Sequence, residues 1–182
     1  MIKTHIFLVG PMGAGKSSVG KSLAKTLNRP FLDLDSEIER RTGADIQWIF
    51  DMDGEEGFRD RETKIFSQVI TEKDSAVIAT GGGLVLREKN RALLSASGKV
   101  IYLFASKEQL LERTKRDKNR PLLQVKDRAK VISEILDQRD PIYRQVADVV
   151  FKSGRGHISK TVRKLADKLQ SHSEFMASHH RQ

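Results

Sequence analysis

A glycine-rich segment near the start of the chain has the composition needed to bind phosphate groups. Residues 10–17 read GPMGAGKS and fit the pattern G-x-x-x-x-G-K-[ST], between a short apolar run and an amphipathic stretch. Glycines allow backbone N–H groups to turn toward phosphate oxygens, and a following helix adds its positive end. Lys16 would reach the β and γ phosphates, and the Ser17 hydroxyl would bind Mg²⁺. The segment therefore predicts binding of a nucleoside triphosphate.

Two carboxylates follow a second apolar run, where residues 31–35 read FLDLD. If this segment is a strand, its period of two places Asp33 and Asp35 on one face. The carboxyl ends of strands in an open parallel sheet border the ligand crevice, so the pair could face Mg²⁺ and a substrate hydroxyl. An isolated pair would more simply be a solvent-facing edge, but beside a phosphate loop we favour function.

Two arginines fall where an amphipathic helix would otherwise place an apolar residue. Arg139 continues the apolar stripe of Ile135 and Leu136, and Arg59 lies one turn before Glu62 in another helical pattern. A buried charge needs a partner, and Glu62 can hold Arg59 while its remaining donors bind an anion such as a carboxylate. Structural salt bridges within the helices remain an open alternative.

Two polar segments could complete a ligand site. Residues 80–83 read TGGG after the third apolar run, so the backbone there can approach a ligand with no side chain in between. Residues 113–120 read RTKRDKNR and are too hydrophilic to pack, which predicts a lid that brings Arg120 to the phosphates and excludes water. The alternatives are an ordinary turn and a solvated run of charges.

Short β-rich runs alternate with longer helical patterns, as in a parallel sheet flanked by helices. Ser36 with Glu39, and Ser106 with Gln109, have the spacing of capping boxes. The predicted fold class is α/β, a three-layer sandwich. The predicted strands are Ile6–Val9, Phe31–Leu34, Ala76–Ala79, Val100–Phe104 and Val149–Phe151, and the predicted helices are Ser17–Leu27, Phe58–Ile70, Lys89–Ser95, Lys107–Lys115, Ala129–Arg139 and Ser159–Gln170.

Length and composition limit the remaining possibilities. A chain of 182 residues predicts one domain, here 1–170 with a lid at about 113–127, and the aperiodic residues 171–182 predict a disordered tail. The chain has no Cys, which excludes disulfides, thiolate metal sites and Cys nucleophiles and favours a reducing compartment. No apolar run approaches the ~20 residues that span a bilayer, so we expect a cytoplasmic protein without a membrane partner.

The net charge of +9 attracts anionic partners without identifying them. A nucleic-acid-binding ATPase would explain the charge, but aromatic residues make up only 6% of the chain, and no interleaved basic stripe offers a stacking platform. A GTPase is suggested by D-x-x-G at residues 51–54 and by [NT]-K-x-D at residues 114–117. The first match follows helical spacing and the second lies well beyond the nearest predicted strand, so we favour neither alternative.

The ordered set of motifs resembles the shikimate kinase family over nearly the whole chain, from Ile6 to about Leu169. The phosphate loop of the family is similar to GPMGAGKSSVG at 10–20, and its D-x-D to Asp33 and Asp35. The other matching motifs are F-R-x-x-E at Phe58, Arg59 and Glu62, the triple glycine Gly81–Gly83, R-P-L-L at 120–123, and R-x-P-x-Y at Arg139, Pro141 and Tyr143.

This resemblance implies a nucleoside-monophosphate-kinase-like fold with five parallel strands and a moving lid. It also implies transfer of the γ-phosphoryl group of ATP to the 3-hydroxyl of shikimate, a step of aromatic amino acid biosynthesis, in a monomer without a nucleic-acid partner. Another kinase of small acids, such as a gluconate kinase, is the nearest alternative.

The resemblance further implies a role for each matching residue. Asp35 would orient or deprotonate the attacking hydroxyl, and Asp33 would hold Mg²⁺ through water. Arg59 and Arg139 would bind the substrate carboxylate, and Lys16 would neutralise the transferring group. The remaining implied contacts are Gly81, Gly82 and Gly83 to shikimate; Gly13, Ala14, Gly15, Ser17, Ser18 and Arg120 to ATP; and Arg113 with the loop 153–157 to adenine.

Overall fold

A computed structural model describes residues 4–115, 127–153 and 158–179, with side chains up to Leu169. Its strands, numbered along the chain, form one sheet in the order β2-β3-β1-β4-β5, and every neighbouring pair is parallel. The predicted α/β class and the five predicted strands are confirmed. The strands are β1 His5–Val9, β2 Phe31–Asp33, β3 Val77–Ala79, β4 Gly98–Phe104 and β5 Val149–Lys152.

Helices cover both faces of the sheet and make three layers. Along β1, Ile6 and Leu8 enter one buried apolar cluster while Phe7 and Val9 enter the other, as the period of a strand requires. The helices are α1 Lys16–Thr26, α2 Leu34–Thr42, α3 Ile46–Glu72, α4 Glu88–Ser97, α5 Lys107–Thr114, α6 Arg128–Val146 and α7 Ile158–His179, with a 3₁₀ turn at Leu84–Leu86.

Helix α2 is the element that the sequence patterns missed. The prediction of a strand through Leu34 was wrong, because α2 begins there with Asp33 as its N-cap, whose carboxylate accepts from the backbone N–H groups of Asp35 and Ser36. Ser36 is therefore inside the helix, and the capping box predicted from Ser36 and Glu39 was also wrong. The capping box predicted at Ser106 and Gln109 is present at the start of α5.

Helix α3 begins at Ile46, twelve residues before the predicted start at Phe58. It bends at Gly54, which has a φ of 71° and a ψ of −177°. Across this bend the rings of Phe50 and Phe58 pack with centroids 4.8 Å apart, so tertiary contact offsets the low helix propensity of glycine. Asp51, the first residue of the D-x-x-G match, lies within the helix and not at a strand end, as its helical spacing predicted.

The last two helices are also longer than the sequence patterns predict. Helix α6 continues through Pro141 to Val146, although proline removes one hydrogen bond from a helix interior. Helix α7 continues to His179, where a disordered tail was predicted; no glycine or proline interrupts residues 158–179, and extending an existing helix costs little. The predicted lid lies mostly at 116–126, outside the described residues, so the division into domain, lid and tail stays a prediction.

Ion pairs fasten α2 against α3. The guanidinium of Arg41 donates to Glu37 on its own helix and to Glu72 at the end of α3, each at 2.6 Å. Hydrogen bonding, first from Arg40 and then from Arg41, lowers the pKa of Glu37 to about 2, so this carboxylate is charged at neutral pH. The contacts hold the helix that carries Asp35 next to the helix that carries Arg59.

Candidate active site

The phosphate loop joins β1 to α1. Gly15 is the N-cap of α1 and has a φ of 92°, a left-handed conformation in which any side chain would be strained. No side chain caps this helix, so its first backbone N–H groups are available to an anion, as the motif predicts. The Lys16 ammonium donates to the carbonyl oxygens of Gly10, at 2.7 Å, and Pro11, at 2.9 Å, which keeps the charge within the loop.

Ser17 and Asp33 bring two oxygen ligands together beside the loop. The Ser17 hydroxyl donates to one carboxylate oxygen of Asp33, and the other oxygen accepts from the Asp35 N–H at 3.1 Å. Hydroxyl and carboxylate oxygens suit Mg²⁺, which keeps several waters and phosphate oxygens as its remaining ligands. In the described part of the chain, no three His, Asp or Glu side chains cluster as a metal cage. The donor set therefore fits Mg²⁺ bound together with a nucleotide.

Asp35 and Glu62 meet at the glycine turn that follows β3. A Cβ atom placed on Gly81 would lie 2.6 Å from Glu62 Oε1 and 2.9 Å from Asp35 Oδ1. The structure thus brings Asp35 to the same edge of the sheet as Asp33, as predicted. The predicted reason was wrong: the two residues converge because a helix starts after Asp33, and not because they alternate along a strand.

Arg59 and Glu62 form the buried ion pair that their spacing indicates. Arg59 Nη1 donates to Glu62 Oε2 at 2.7 Å, and Nη2 donates to Glu55 at 3.0 Å. Only 6% of Arg59 and none of Glu62 is exposed. Burial raises the pKa of Glu62, against the lowering effect of Arg59. The pair fixes the guanidinium at the wall of the cleft.

Gly83 leaves no room for a side chain beneath that guanidinium. A Cβ atom there would lie 2.1 Å from Arg59 Nη2 and 2.3 Å from Arg59 Cζ. Real Cβ atoms do not approach other atoms this closely, so the position requires glycine while Arg59 keeps its place.

Arg139 approaches the same cleft from α6. The residue is only 5% exposed, and its Nε has no hydrogen-bond partner among the described residues. Asp35, Arg59 and Arg139 therefore share one pocket with the phosphate loop, as the sequence predicts. The residues that line it are Met12, Gly13, Gly15, Lys16, Ser17, Ser18, Asp33, Asp35, Ile46, Phe50, Phe58, Arg59, Glu62, Thr80, Gly81, Gly82, Gly83 and Arg139.

Arg113 lies behind the phosphate loop, next to a second hollow. Its Nη1 donates to the carbonyl oxygens of Gly13 and Ala14, at 3.2 and 3.3 Å, and to the Ser153 hydroxyl at 2.7 Å. The hollow is lined by Ala14, Gly15, Ser18, Val19, Gln109, Glu112, Arg113, Ser153, Ile158 and Thr161. Arg120 and residues 154–157 lie outside the described residues, so their predicted contacts stay predictions.

The sequence patterns missed several residues of the main pocket. Ile46 and Phe50 form part of its wall, although their spacing indicated only a helix. Met12 and Thr80, which belong to the predicted GPMGAGKS and TGGG segments, also line it, and Tyr143 of the R-x-P-x-Y motif contacts the glycine turn. Helical periodicity could have assigned Ile46 and Phe50 to one face of a helix, but it does not show that this face borders the pocket.

Comparisons with known proteins agree with this geometry. A family model described as shikimate kinase matches residues 12–170. The chain belongs to the shikimate kinase family. A shikimate kinase of Francisella tularensis subsp. holarctica is 50% identical over 167 residues, which is 91% of this chain and 95% of that protein. The prediction of the family from the sequence motifs is confirmed, and with it the class of ATP-dependent kinases.

Solved structures show the same relationship. A shikimate kinase from Acinetobacter baumannii, in complex with shikimate, is 46% identical with a TM-score of 0.90, over 93% of this chain and 94% of that one. The shikimate kinase from Aquifex aeolicus is 34% identical with a TM-score of 0.81, over 93% and 98%. A gluconokinase from Sinorhizobium meliloti, 17% identical with a TM-score of 0.53 over 94% and 98%, shares the fold alone.

Proposed function

We propose that this protein transfers the γ-phosphoryl group of ATP to the 3-hydroxyl of shikimate, which gives shikimate 3-phosphate and ADP. The observation that supports this most strongly is the single pocket in which Lys16 and Ser17 meet Asp35, Arg59 and Arg139. Shikimate carries a carboxylate and ring hydroxyls, which are the groups that two guanidiniums and an acid can recognise. The A. baumannii relative was solved with shikimate bound.

The acceptor half of the site supplies anion binding and a base. Arg59 and Arg139 bind the substrate carboxylate through charge-assisted hydrogen bonds. Asp35 orients the 3-hydroxyl and takes its proton as the oxygen attacks the γ-phosphorus; the bond from that phosphorus to the bridging β–γ oxygen breaks, and ADP leaves. The backbone of Gly81, Gly82 and Gly83 contacts the substrate ring, because no side chain intervenes.

The donor half of the site supplies positive charge and N–H groups. Lys16 and Arg120 neutralise the transferring group, and Ser17 with Asp33 would hold Mg²⁺. When bound, Mg²⁺ offsets the negative charge of the β and γ phosphates. The other ATP-binding residues in the proposal are Gly13, Ala14, Gly15, Ser18 and Arg113. Catalysis here is mainly positioning and charge stabilisation.

The test of this function is coupled ADP release with shikimate, gluconate or single-stranded DNA added separately. We expect shikimate alone to sustain turnover. Turnover with gluconate and not shikimate would contradict the assignment of the acceptor. Stimulation by DNA alone would place the protein in another class, that of nucleic-acid-dependent ATPases.

Replacing Arg139 by Ala is expected to raise the KM for shikimate by about 10- to 100-fold, because a charge-assisted pair contributes ~1.5 to 3 kcal/mol. Steady-state kinetics at saturating ATP measures the effect. Arg144→Ala is the matched control, since Arg144 lies on the same helix but pairs with Asp140 and lies outside the pocket. Unchanged kinetics for Arg139→Ala, or equal effects of both variants, would contradict the role of Arg139.

The predictions of a monomer, of a cytoplasmic location and of no nucleic-acid or membrane partner remain part of the proposal. Within the residues that the structure describes, no helix combines the length and hydropathy needed to cross a bilayer.

A further inference from the structure

Tyr143 connects two parts of the acceptor site through one hydroxyl group. It lies on α6, one turn after Arg139, and is fully buried. Its hydroxyl donates to the carbonyl oxygen of Gly82, and the positive charge of Arg139 acts on the same phenol, whose pKa it lowers. This hydrogen bond thus joins the helix that carries Arg139 to the backbone of the glycine turn after β3.

This hydroxyl is a fixed donor. Burial raises the pKa of Tyr143 to about 12, so the phenol keeps its proton at neutral pH. The ring is held by Tyr102, whose ring centroid lies 4.9 Å away at an interplanar angle of 30°. Its one hydrogen is directed to the carbonyl oxygen of Gly82.

The glycine turn, Gly81–Gly83, also contacts the residues on the other side of the pocket. Gly81 abuts Asp35 and Glu62, and Gly83 lies directly beneath Arg59. A shift of the turn relative to α6 would therefore change the position of Arg139 relative to Arg59. Two guanidiniums bind one carboxylate well only at a matching separation.

We propose that Tyr143 is a positioning residue, which sets the separation between Arg139 and Arg59 and so gives the acceptor site its preference for a carboxylate. This inference rests on the proposed function, because it takes shikimate as the acceptor. Packing alone would need only the ring, which phenylalanine supplies equally well. The hydrogen-bond partner of the hydroxyl, Gly82, belongs to the acceptor site and not to the nucleotide loop.

The test compares Tyr143→Phe with Tyr102→Phe. Tyr102 is the matched control, because it is also buried and lies in the same ring stack, but its hydroxyl donates to Asp140 at 2.6 Å. For Tyr143→Phe we expect the KM for shikimate to rise by about 5- to 20-fold, with kcat within about 3-fold and the KM for ATP unchanged. For Tyr102→Phe we expect the KM for shikimate to stay within about 2-fold.

The carboxamide of shikimate, which lacks the charged carboxylate, distinguishes a positioning role of Tyr143 from a general loss of activity. The preference of the enzyme for shikimate over the carboxamide, as a ratio of kcat/KM, should fall several-fold in Tyr143→Phe and stay constant in Tyr102→Phe. In an Arg139→Ala background, Tyr143→Phe should have little further effect, because the guanidinium that Tyr143 positions is then already absent. Thermal unfolding checks that each variant is folded.

The outcomes distinguish this inference from the proposed function. If the wild type phosphorylates shikimate but Tyr143→Phe keeps the full carboxylate preference, the inference is wrong. It is also wrong if Tyr102→Phe loses as much preference, or if the effects of Tyr143→Phe and Arg139→Ala simply add. If the wild type does not phosphorylate shikimate at all, the proposed function fails, and the inference fails with it.

Discussion

Replacing Lys16 by Met is expected to lower kcat with shikimate by about 10²- to 10³-fold. This is the usual loss when one preorganised hydrogen-bond donor is removed from a reaction centre. The ammonium lies within the phosphate loop, bonded to the carbonyl oxygens of Gly10 and Pro11. Methionine has similar length but no charge, so it can neither bind the phosphates nor offset their charge. Single-turnover and steady-state kinetics measure the loss.

The fold should survive this change, because Lys16 is only partly buried and contributes to neither apolar cluster. Far-UV circular dichroism of Lys16→Met should match that of the wild type. Lys25→Met is the matched control: Lys25 is an exposed lysine in the last turn of the same helix, and its loss should leave kcat within about 2-fold. Near-normal turnover of Lys16→Met would remove Lys16 from the catalytic residues.

Replacing Gly83 by Ala is expected to abolish shikimate binding at practical concentrations, with the KM raised by about 100-fold or more. The added methyl group would occupy the space of the Arg59 guanidinium, whose nearest atom lies 2.1 Å from the Cβ position. The guanidinium of Arg59 must then shift, and if this breaks its ion pair with the buried carboxylate of Glu62, the loss costs ~3–5 kcal/mol. Because burial already raises the pKa of Glu62, protonation can lower that cost.

Two observables separate loss of the acceptor site from unfolding. Trp48 is the one tryptophan of the chain, is 52% exposed, and lies between the pocket residues Ile46 and Phe50. Its fluorescence should respond to shikimate in the wild type and not in Gly83→Ala. The KM for ATP should stay unchanged in this variant.

Gly82→Ala is the comparison for Gly83→Ala. A Cβ atom on Gly82 would meet its nearest neighbours at 3.4 to 3.6 Å, which is close to ordinary contact. We therefore expect a much smaller rise in the KM for shikimate than Gly83→Ala produces. Equal effects of the two variants would show that the position of Arg59 does not decide substrate binding.

The phosphate loop and the sheet could be predicted because both depend on local patterns. Glycine spacing fixes the backbone of residues 10–17, and apolar runs of strand length identified all five strands. The pairing of Arg59 with Glu62 was also accessible, since residues three apart on a helix are neighbours. These features need no knowledge of distant parts of the chain.

The location of Asp33 and Asp35 was predicted correctly, but from the wrong local structure. Alternation of apolar and acidic residues indicated a strand, but Asp33 ends the strand and caps α2. Only Leu34 and Ile38 form a buried stripe on this helix, which is too little periodicity to detect. The predicted strand and the observed junction of β2 with α2 both place the two carboxylates near the carboxyl end of β2. The predicted location was therefore correct.

The contacts that complete the acceptor site depend on tertiary structure. The bend at Gly54 and the continuation of α6 through Pro141 both oppose local propensity, and the rings of Phe50 and Phe58 pack across the bend. The hydrogen bond from Tyr143 to Gly82 joins residues 61 positions apart. No spacing rule along the sequence could have predicted this contact.

The most direct test of the proposed site is a crystal structure of this protein with shikimate and ADP bound. We expect the shikimate carboxylate to lie within about 3 Å of donors on both Arg59 and Arg139, and the 3-hydroxyl to lie within about 3 Å of an Asp35 carboxylate oxygen. A carboxylate bound away from both guanidiniums, or a 3-hydroxyl directed away from Asp35, would contradict the proposal.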